Sequence, residues 1–447
     1  MSIVILFFVT LTFCETFSHL HQQFAQKSVN DFCQFNVSQN VPGSFHSIDS
    51  VLNHACLDPE GYEISLLDSD HVEYLAVNMN QTIFIGGINI KPTIWTFNTL
   101  RREIINLQQG NITLENIEFQ FSTNQNKSFI IPSHQFILVG SDKVHLPSLT
   151  VHQCVFRSHS YKHSDILVHI QVEQANKAVI DNSTFLGAGQ KKVQYTSMMD
   201  INNISELIIT NSRFKDALLN SPKEAVRIYG NNPNNSALSI WSGLEIRTEI
   251  TGNKFTNCQA AQSNSGAMYI KDFDGNEKYN EIIVSNNTFD SNKGNLTGAF
   301  FFVSYSQYSN YSFVNNIFIS NRNSNKSGIG QDAYLIFSQT PKDWSLDNIV
   351  NIIMYLFKGS ISDAKKDSVY TSAYLKGQQY YGSITLPNKS NAEVFNNYVI
   401  AAVVVIIFGI AVFLVEIIYF RMKKHKQNIG TAQESQYLLM SSQKQPA

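Results

Sequence analysis

Charge is scarce in this sequence of 447 residues, and the scarcity excludes one broad class of function. Only 15% of the residues are Asp, Glu, Lys or Arg, and the formal net charge is -2. Nucleic-acid binding requires a basic face on which Lys and Arg neutralise phosphates. The sequence offers no such face, so we expect no nucleic-acid partner.

Cysteine is also scarce, with five residues in the chain and no Cys-x-x-Cys pair. A zinc site built on such a pair is therefore not expected. Cys14 lies in a segment that we expect to be removed, and the other four would face an oxidising compartment. Cys33 and Cys56 flank a short segment and are a possible disulfide, whereas Cys154 and Cys258 are expected to be single buried thiols.

Paired carboxylates are missing as well, and this weighs against catalysis on polysaccharides. Glycoside hydrolysis needs two carboxyl groups that flank one bond. The outward strand positions carry scattered groups, with no Asp-Asp pair and no repeated Asp column: Asp165, Asp181, Asp200, Arg213 and Arg227. We expect no enzyme, no catalytic residue and no cofactor; a polysaccharide lyase or hydrolase stays only as an alternative.

Histidines cluster in one part of the chain, where a metal site has to be considered. Half of the 12 histidines lie between His134 and His169. A metal site would need three or four converging ligands, for which His152, His159, His163 and His169 are the candidates. No helix is predicted that would bring His159 and His163 onto one face, so we expect no metal.

What the sequence does contain is a repeat with the pattern apolar-x-apolar-x-Asn-x-x-Phe, first seen over residues 112–119. The pattern ends at Phe119, Phe156, Phe185, Phe214, Phe255, Phe289 and Phe318. Three residues before each Phe stand Asn116, Gln153, Asn182, Asn211, Gly252, Asn286 and Asn315. The shortest interval between successive Phe residues is 29, and insertions lengthen the others.

The alternation of apolar and polar residues predicts a strand with one buried face. Asn or Gly can end this strand because both enter left-handed backbone conformations readily. So short a unit cannot bury its own apolar face, whereas stacked units can, with the Asn side chains in an inward hydrogen-bonded ladder and the Phe rings in an apolar column. We therefore predict an all-β fold, a right-handed parallel β-helix. An antiparallel β-sandwich is the alternative, but it does not explain the fixed Asn and Phe offsets.

A second strand is expected between successive Phe residues, often beginning with a small residue. The segments are SDILVHI from Ser164, SMMDI from Ser197, EAVRIY from Glu224, SGAMYI from Ser265, TGAFFFV from Thr297 and DAYLIF from Asp332. Each repeat would then contribute at least two strands.

Two apolar runs predict a secreted chain with one membrane anchor. Residues 1–18 contain a run from Ile3 to Phe13 that is too short to span a bilayer and is typical of a secretory signal peptide, although no Lys or Arg precedes it. Residues 398–420 hold one charge and are long enough to cross a hydrocarbon core of about 30 Å as a transmembrane helix. The basic residues from Arg421 to Lys426 then predict a cytoplasmic tail over 421–447.

The remaining chain divides into three predicted parts. These are an N-terminal cap with the first coils at 19–108, the β-helix repeats at 109–337, and a C-terminal cap with a juxtamembrane stalk at 338–397. Caps are expected because the ends of stacked strands expose unpaired backbone and apolar core. Within the first part, residues 47–56 are predicted as a short helix, and YLAVNM, QTIFIGGINI and PTIWTF as strands.

Sequons for N-glycosylation are spread through the extracytoplasmic part. The candidates for modification are Asn36, Asn80, Asn126, Asn234, Asn295, Asn310, Asn325 and Asn388. Asn182 and Asn286 also begin sequons, but both occupy the predicted inward ladder. We therefore expect these two to be unmodified.

The predicted tail contains two overlapping sorting patterns. Tyr437, Leu438, Leu439 and Met440 fit Tyr-x-x-apolar, and Glu434 with the two leucines fits the acidic dileucine pattern. Such extended peptides bind pockets for the Tyr ring and the leucines on clathrin-adaptor-type proteins. We expect an endocytic sorting motif here.

Ligand binding is expected on the insertions between repeats, because loops on a rigid scaffold carry function without disturbing the core. Their aromatic side chains could stack on sugars or anchor a protein partner, although lateral packing is the alternative. The segments are YGNNPNNSALSIWSG with Tyr229 and Trp241, TNQNKSFIIPSHQ after Phe121, and a group of Tyr305, Tyr308 and Tyr311 around a sequon.

Four short motifs carry a family resemblance. SGAM at 265–268 and TGAF at 297–300, followed by FDSN at 289–292 and FISN at 318–321, resemble the Gly-Gly-Ala-apolar and Phe-x-x-Asn repeats of polymorphic outer membrane proteins. With its signal peptide, single span and sorting-type tail, the chain resembles the single-pass members of that family on protist parasites such as trichomonads. The resemblance covers about residues 110–340, with Ser265 or Thr297 in place of the first Gly. It implies a surface β-helix used in adhesion to host cells or matrix, and it assigns no binding residue.

These observations predict a type I plasma-membrane glycoprotein that cycles through endosomes. Its ectodomain is expected to bind a cell-surface, matrix or glycan ligand in the manner of an adhesin. The alternative is an endosomal or lysosomal cargo-sorting receptor, which steady-state location would separate from the first.

Overall fold

The computed structural model describes residues 32–57, 60–97, 103–121, 134–140, 145–158, 167–187, 197–219, 226–229, 247–260, 263–272, 280–324 and 330–388. It is mostly β, with 56% strand and 6% helix, and the strands lie in three sheets whose pairing is parallel except between Val369–Leu375 and Gln378–Ile384. Except for Pro387 and Asn388, the described residues belong to a compact unit that ends at Leu386. The predicted all-β class is confirmed.

The largest sheet contains 19 strands, and it forks after the long strand Glu103–Glu115. The first half of that strand pairs with His134–Val139 and the second half with Ser148–His152, so two branches continue from it. In chain order the strands are Cys33–Val37, Tyr62–Leu66, Leu75–Gly87, Glu103–Glu115, His134–Val139, Ser148–His152, Leu167–Val172, Ala175–Asp181, Met199–Asn202, Ile204–Thr210, Val226–Tyr229, Arg247–Thr251, Met268–Asp272, Glu281–Ser285, Phe300–Ser304, Asn310–Ser312, Ala333–Phe337, Val369–Leu375 and Gln378–Ile384.

The second and third sheets are built from shorter strands, all in parallel pairs. The second sheet has 10 strands: Asp70–His71, Thr93–Phe97, Ile117–Phe121, Val155–Arg157, Thr184–Leu186, Arg213–Lys215, Lys254–Thr256, Thr288–Asp290, Ile317–Ile319 and Ile361–Ser362. The third sheet has four: Leu218–Leu219, Gln259–Ala260, Lys293–Gly294 and Arg322–Asn323. Each strand therefore pairs with its equivalent in the next repeat.

The six predicted second strands are confirmed, and all belong to one branch of the large sheet. They are Leu167–Val172, Met199–Asn202, Val226–Tyr229, Met268–Asp272, Phe300–Ser304 and Ala333–Phe337, paired in that order. In Met199–Asn202, Met268–Asp272 and Ala333–Phe337 buried side chains alternate with less buried ones, as a strand buried on one face requires, whereas Phe300–Ser304 is buried throughout.

The predicted column of Phe rings is also confirmed. Successive repeats pair in the second sheet with Phe opposite Phe, for example Phe185 opposite Phe214. From Phe119 to Phe318 the ring centroids are 4.7 to 5.2 Å apart, and every one of these rings is at most 1% exposed. Trp95 extends the column by one repeat, since it lies opposite Phe119 in register with a centroid distance of 5.7 Å.

The predicted inward position of the consensus Asn is wrong. Asn182 has a φ of 48° and Asn286 a φ of 56°, and both side chains are exposed. The left-handed residue turns the chain between two sheets, which leaves its own side chain outside and places the next residue inside. The reason for expecting Asn182 and Asn286 to be unmodified is therefore removed.

The inward ladder lies one residue later, in every repeat except the first, where that position is Ile117. It consists of Cys154, Ser183, Ser212, Asn253, Asn287 and Asn316. The backbone N–H of each residue donates to the side-chain oxygen at the same position of the next repeat, as Ser212 N does to Asn253 Oδ1 at 2.8 Å. Buried backbone donors at the turn are thereby satisfied.

The Phe-x-x-Asn motif forms a second buried ladder. Asn292 Oδ1 accepts from Cys258 N at 2.9 Å, and Asn321 Oδ1 accepts from Asn292 N at 3.2 Å. Gly266 packs so closely against this ladder that an added Cβ would lie 2.7 Å from the carbonyl oxygen of Cys258. The Gly in SGAM is therefore required by close backbone approach.

The amino-terminal end of the large sheet is covered by a tethered segment. Helix Ile48–Leu52 begins after Ser47, whose side chain accepts from Ser50 N, and it buries Ile48, Val51 and Leu52. Both Ile48 N and Asp49 N donate to the Glu73 carboxylate at 2.8 Å. A disulfide joins Cys33 to Cys56, the pair that the sequence singles out.

No helix within the described residues is long and apolar enough to cross a membrane. The predicted signal peptide at 1–18, the predicted span at 398–420 and the tail motif at 434–440 all lie outside those residues.

Candidate functional site: a cleft beside the last helix

A cleft of about 480 Å³ lies beside helix Ile349–Leu356, near the carboxyl end of the described chain. Its sides come from residues 309–311, from residues 341–344 and from the helix itself. The 3-10 helix Leu346–Asn348 connects the last two of these segments. Residues 309–311 come from an earlier repeat, and the stacking of repeats brings them to the other two segments.

The helix forms one wall because its residues divide between two faces. Ile349, Ile353 and Leu356 are buried at the spacing that one helical stripe requires. Asn351 and Tyr355, four residues apart, lie on a second face and line the cleft. Tyr355 is 73% exposed, so its ring is open to a ligand.

The floor contains Tyr311, which is held from below by a buried carboxylate. Its hydroxyl donates to Asp272 Oδ2 at 2.9 Å and lies 2.6 Å from Ser304 Oγ. The Asn280 amide donates to the other carboxylate oxygen at 2.7 Å. These contacts fix the orientation of the Tyr311 ring at the base of the cleft.

The electrostatics of this pair keep the Tyr311 hydroxyl protonated. Burial raises the pKa of Asp272, while the hydrogen bonds from Asn280, Tyr311 and Ser304 oppose that effect. Burial and the nearby Asp272 charge hold the pKa of Tyr311 well above its usual value. Tyr311 is therefore a neutral donor to Asp272 throughout the physiological pH range.

The second wall is anchored by Trp344. Its ring packs edge-on against Phe337 with a centroid distance of 4.8 Å, and the residue is only 6% exposed. Next to it, Lys342 Nζ lies 4.8 Å from the ring centroid of Tyr308 and 3.3 Å from its hydroxyl. This cation–π contact ties the loop to the neighbouring repeat.

The polar groups of the cleft are mostly neutral amides. Asn310, Asn348 and Asn351 line it, and Asn351 Nδ2 donates to Asn348 Oδ1 at 3.0 Å. Asp343 adds one carboxylate. Amides donate and accept at once, so together with aromatic faces they suit a neutral, hydroxyl-rich ligand.

The three tyrosines predicted as one binding group are separated by the structure. Tyr311 lines the cleft, and Tyr308 lies beneath Lys342. Tyr305 is 37% exposed and lies 5.3 Å from Lys271 Nζ. Of the other predicted insertions, Trp241 lies outside the described residues, and only the backbone of Tyr229 is described.

The histidine candidates are not brought together where they are described. His169 is fully buried between phenylalanine rings, and His152 Nδ1 lies 3.0 Å from the Asp181 carboxylate on the surface. His159 and His163 fall outside the described residues. Across the part of the chain that the structure describes, no group of three His, Cys, Asp or Glu residues could hold a metal ion.

Of the predicted outward charged residues, the structure describes the side chains of Asp181, Asp200 and Arg213, whereas Asp165 and the side chain of Arg227 lie outside what it describes. Asp181 accepts from Thr210 Oγ1 at 2.7 Å, in addition to its contact with His152. Arg213 is exposed on the second sheet. Neither residue lies in the cleft.

The glycosylation candidates within the described residues all have exposed side chains. They are Asn36, Asn80, Asn295, Asn310 and Asn388. Asn126, Asn234 and Asn325 lie outside the described residues, as do Glu434, Tyr437, Leu438, Leu439 and Met440. Cys154 and Cys258 are buried free thiols, and burial raises the pKa of each to about 12.

Sequence reasoning missed Trp344, Asn351 and Tyr355. The segment around the helix reads as an apolar cap, because isoleucines and leucine dominate it. A signal was nevertheless present, since Asn351 and Tyr355 are four residues apart and fall between the apolar positions.

Comparison of the chain with protein-family models and with curated proteins found no match.

Proposed function

We propose that this chain is a single-pass type I membrane glycoprotein whose extracytoplasmic part is a right-handed parallel β-helix that binds a glycan, as an adhesin does. The parallel pairing of each strand with its equivalent in the next repeat supports a helix of stacked coils. Right-handedness follows from the rule for connections between parallel strands.

The membrane arrangement is supported by the sequence. The apolar residues 398–420, followed by basic residues, orient the tail toward the cytoplasm. The disulfide Cys33–Cys56 agrees with an oxidising compartment for the amino-terminal part. Tyr437 and Leu438–Leu439 then supply the contacts for clathrin-adaptor-type partners.

The observation that carries the ligand class is the cleft beside helix Ile349–Leu356. Aromatic rings pack well against the apolar faces of sugars, and neighbouring amides pair with hydroxyl groups. Tyr355 offers such a ring from a well-anchored helix, and Asn351 offers an amide one helical turn away. A cleft of about 480 Å³ accommodates one or two sugar rings at the volume typical of small-ligand sites.

The test measures binding of a glycan panel to cells that display the full chain. Tyr355→Ala removes the exposed ring and Asn351→Ala removes the amide, and each should lower binding of the recognised glycan about tenfold, since each contact contributes about 1 to 1.5 kcal/mol. Tyr355→Phe keeps the ring and should retain most binding. Tyr374→Ala is the matched control, because Tyr374 is 47% exposed and does not line the cleft.

Equal binding by wild type, Tyr355→Ala and Asn351→Ala would place the ligand elsewhere on the molecule. Loss of binding in Tyr374→Ala as well would point to a general surface effect. If no glycan binds wild type while immobilised matrix proteins do, the glycan class is wrong.

The proposed sorting motif in the tail is tested separately, by measuring where in the cell the chain is found. Tyr437→Ala combined with Leu438→Ala and Leu439→Ala should raise the amount of chain at the cell surface, because the adaptor pockets lose both of their contacts. Unchanged uptake would contradict the sorting motif. Steady-state retention of wild type in Golgi or endosomes would favour the cargo-sorting receptor over the adhesin.

A further inference from the structure

The last strand of the large sheet, Gln378–Ile384, has one paired edge and one open edge. It pairs antiparallel with Val369–Leu375 over its full length. No other strand in the described chain pairs with its second edge. An open edge presents unpaired N–H and C=O groups, which are a template for another strand.

The other end of the same sheet is protected. The carboxyl end of the first strand, Cys33–Val37, makes a parallel bridge to Phe45, with Phe45 N donating to Asn36 O at 2.9 Å and Ser38 N donating to Phe45 O at 2.8 Å. The disulfide from Cys33 to Cys56 tethers this segment. The first strand of the sheet is thus partly covered at its outer edge, whereas no strand of the described chain pairs with the outer edge of Gln378–Ile384.

The open strand lacks two of the features that normally prevent edge pairing. Its sequence QQYYGSI contains no charged residue and no proline, which are the usual protections of an exposed edge. Tyr381 at its centre is 66% exposed. Tyr380 folds over Gly382, so a Cβ added to Gly382 would meet the Tyr380 ring.

The geometry points to a symmetric dimer in which Gln378–Ile384 pairs antiparallel with the same strand of a second copy of this chain. A two-fold axis at Tyr381 would place Tyr381 opposite Tyr381 of the second copy and Tyr380 opposite its Gly382, so that all seven residues pair. An aromatic pair across strands is a favourable arrangement. Because the strand is uncharged, pairing with itself brings no like charges together.

The position of this strand in the chain favours a second copy of the chain as the partner at the open edge. Ile384 lies only 14 residues before Tyr398, where the predicted membrane span begins. Two copies in one membrane would therefore hold their open edges at similar heights, which raises the effective concentration of one edge at the other. This step rests on the proposed membrane anchorage, whereas the pairing geometry does not.

The test is oxidative cross-linking of the full chain carrying Tyr381→Cys. Residues that face each other across a two-fold axis in an antiparallel pair are within disulfide reach. Little cross-linking is expected through the other cysteines of the described chain, because Cys33 and Cys56 are bonded to each other and Cys154 and Cys258 are buried. Tyr374→Cys is the matched control, since Tyr374 is exposed on the neighbouring strand and away from the open edge.

Tyr381→Cys is expected to give disulfide-linked dimer on a non-reducing gel, at least about tenfold more than wild type or Tyr374→Cys. Ser383→Lys added to Tyr381→Cys should reduce the cross-link, because it sets a charge on the edge in both copies. Equal cross-linking of Tyr381→Cys and Tyr374→Cys, or none in either, would overturn the dimer. Cross-linked dimer found in the medium rather than in membranes would support the edge pairing and contradict the anchorage.

Discussion

The repeats place different side chains at the same inward position in two parts of the molecule. We call the part with Ser183 and Ser212 the serine half and the part with Asn253, Asn287 and Asn316 the asparagine half. In the serine half each hydroxyl accepts from the preceding repeat and donates within its own, as Ser212 Oγ does to Thr210 O at 2.8 Å. The side chain therefore makes one bond between repeats.

In the asparagine half both the oxygen and the nitrogen of the amide bond to the preceding repeat. Asn287 Oδ1 accepts from Asn253 N at 2.9 Å, and Asn287 Nδ2 donates to Ile250 O at 2.8 Å. Asn316 repeats the arrangement, with its Nδ2 donating to Val284 O at 2.8 Å. The comparison shows that the same backbone geometry accommodates either serine or asparagine at the inward position. Asparagine joins neighbouring repeats through more hydrogen bonds than serine does.

Buried titratable groups also differ between the two halves. His169 lies in the serine half, where burial lowers its pKa to about 3, and its Nε2 is 2.7 Å from Ser158 Oγ. Asp332 lies beside the asparagine half, where it accepts from Asn321 Nδ2 at 3.2 Å and burial raises its pKa to about 7. The halves should therefore respond to acid in opposite directions.

The largest expected effect comes from breaking the ladder in the asparagine half. Asn287→Ala would leave Asn253 N and Ile250 O buried without their partners, and each unsatisfied group costs about 1 to 3 kcal/mol. We expect a loss of about 4 kcal/mol in the free energy of unfolding. Thermal unfolding of the detergent-solubilised full chain, followed by limited proteolysis, measures it.

The equivalent change in the serine half should cost less. Ser212→Ala removes the acceptor for Ser183 N and the donor to Thr210 O, and we expect a loss of about 2 kcal/mol. Asn211→Gly is the control, since Asn211 is exposed with a φ of 51°, and it should change stability by less than about 0.5 kcal/mol. Equal losses for Ser212→Ala and Asn287→Ala would remove the distinction between the halves.

The sequence was sufficient to locate the Phe column and one branch of strands, because side chains that recur with one spacing must share one buried environment. It misplaced the ladder by one residue for a physical reason. Alternation between faces holds only while the backbone stays extended, and the left-handed turn at Asn182 or Asn286 puts the following residue inside. The sequence pattern identifies the residue at the turn, but it does not show in which direction the backbone continues after that residue.

The cleft could not be predicted in the same way. Tyr311 belongs to an earlier repeat than Trp344 and Tyr355, and only the stacking of the repeats brings it to them. Tyr311 depends in addition on the buried Asp272, 39 residues earlier in the chain. A periodic sequence pattern can predict only residues that recur in each repeat, and the residues that line this cleft do not recur.

Acid should weaken the contribution of His169 to the free energy of unfolding. The unfolded side chain titrates near 6.5 and the folded one near 3, so the unfolded state binds more protons between these values and stability falls as pH falls below 6.5. From pH 7 to 5 the expected loss is about 2 kcal/mol. His169→Phe removes this titration, and its unfolding temperature should fall less than that of wild type over the same range.

Acid should have the opposite effect through Asp332. The folded carboxyl titrates near 7 and the unfolded one near 3.8, so the folded state binds more protons between these values, and stability rises as pH falls from 7. The expected gain from pH 7 to 5 is about 2 kcal/mol. Asp332→Asn should therefore make the chain more acid-sensitive than wild type. Identical pH profiles for Asp332→Asn and His169→Phe would contradict opposite responses of the two halves.

The smallest expected effect concerns a row of charges that crosses both halves on the outer surface. Lys177, Glu206, Arg247 and Glu281 occupy one register, with Lys177 Nζ 2.7 Å from Glu206 and Arg247 Nε 3.6 Å from Glu281. Glu206→Gln should cost at most about 0.5 kcal/mol, and Glu281→Gln less, because its pair is longer and about half exposed. Added salt should remove both losses, since screening acts on exposed charges. A loss above about 1 kcal/mol that persists in salt would mean that the outer row, as well as the inner ladder, distinguishes the two halves.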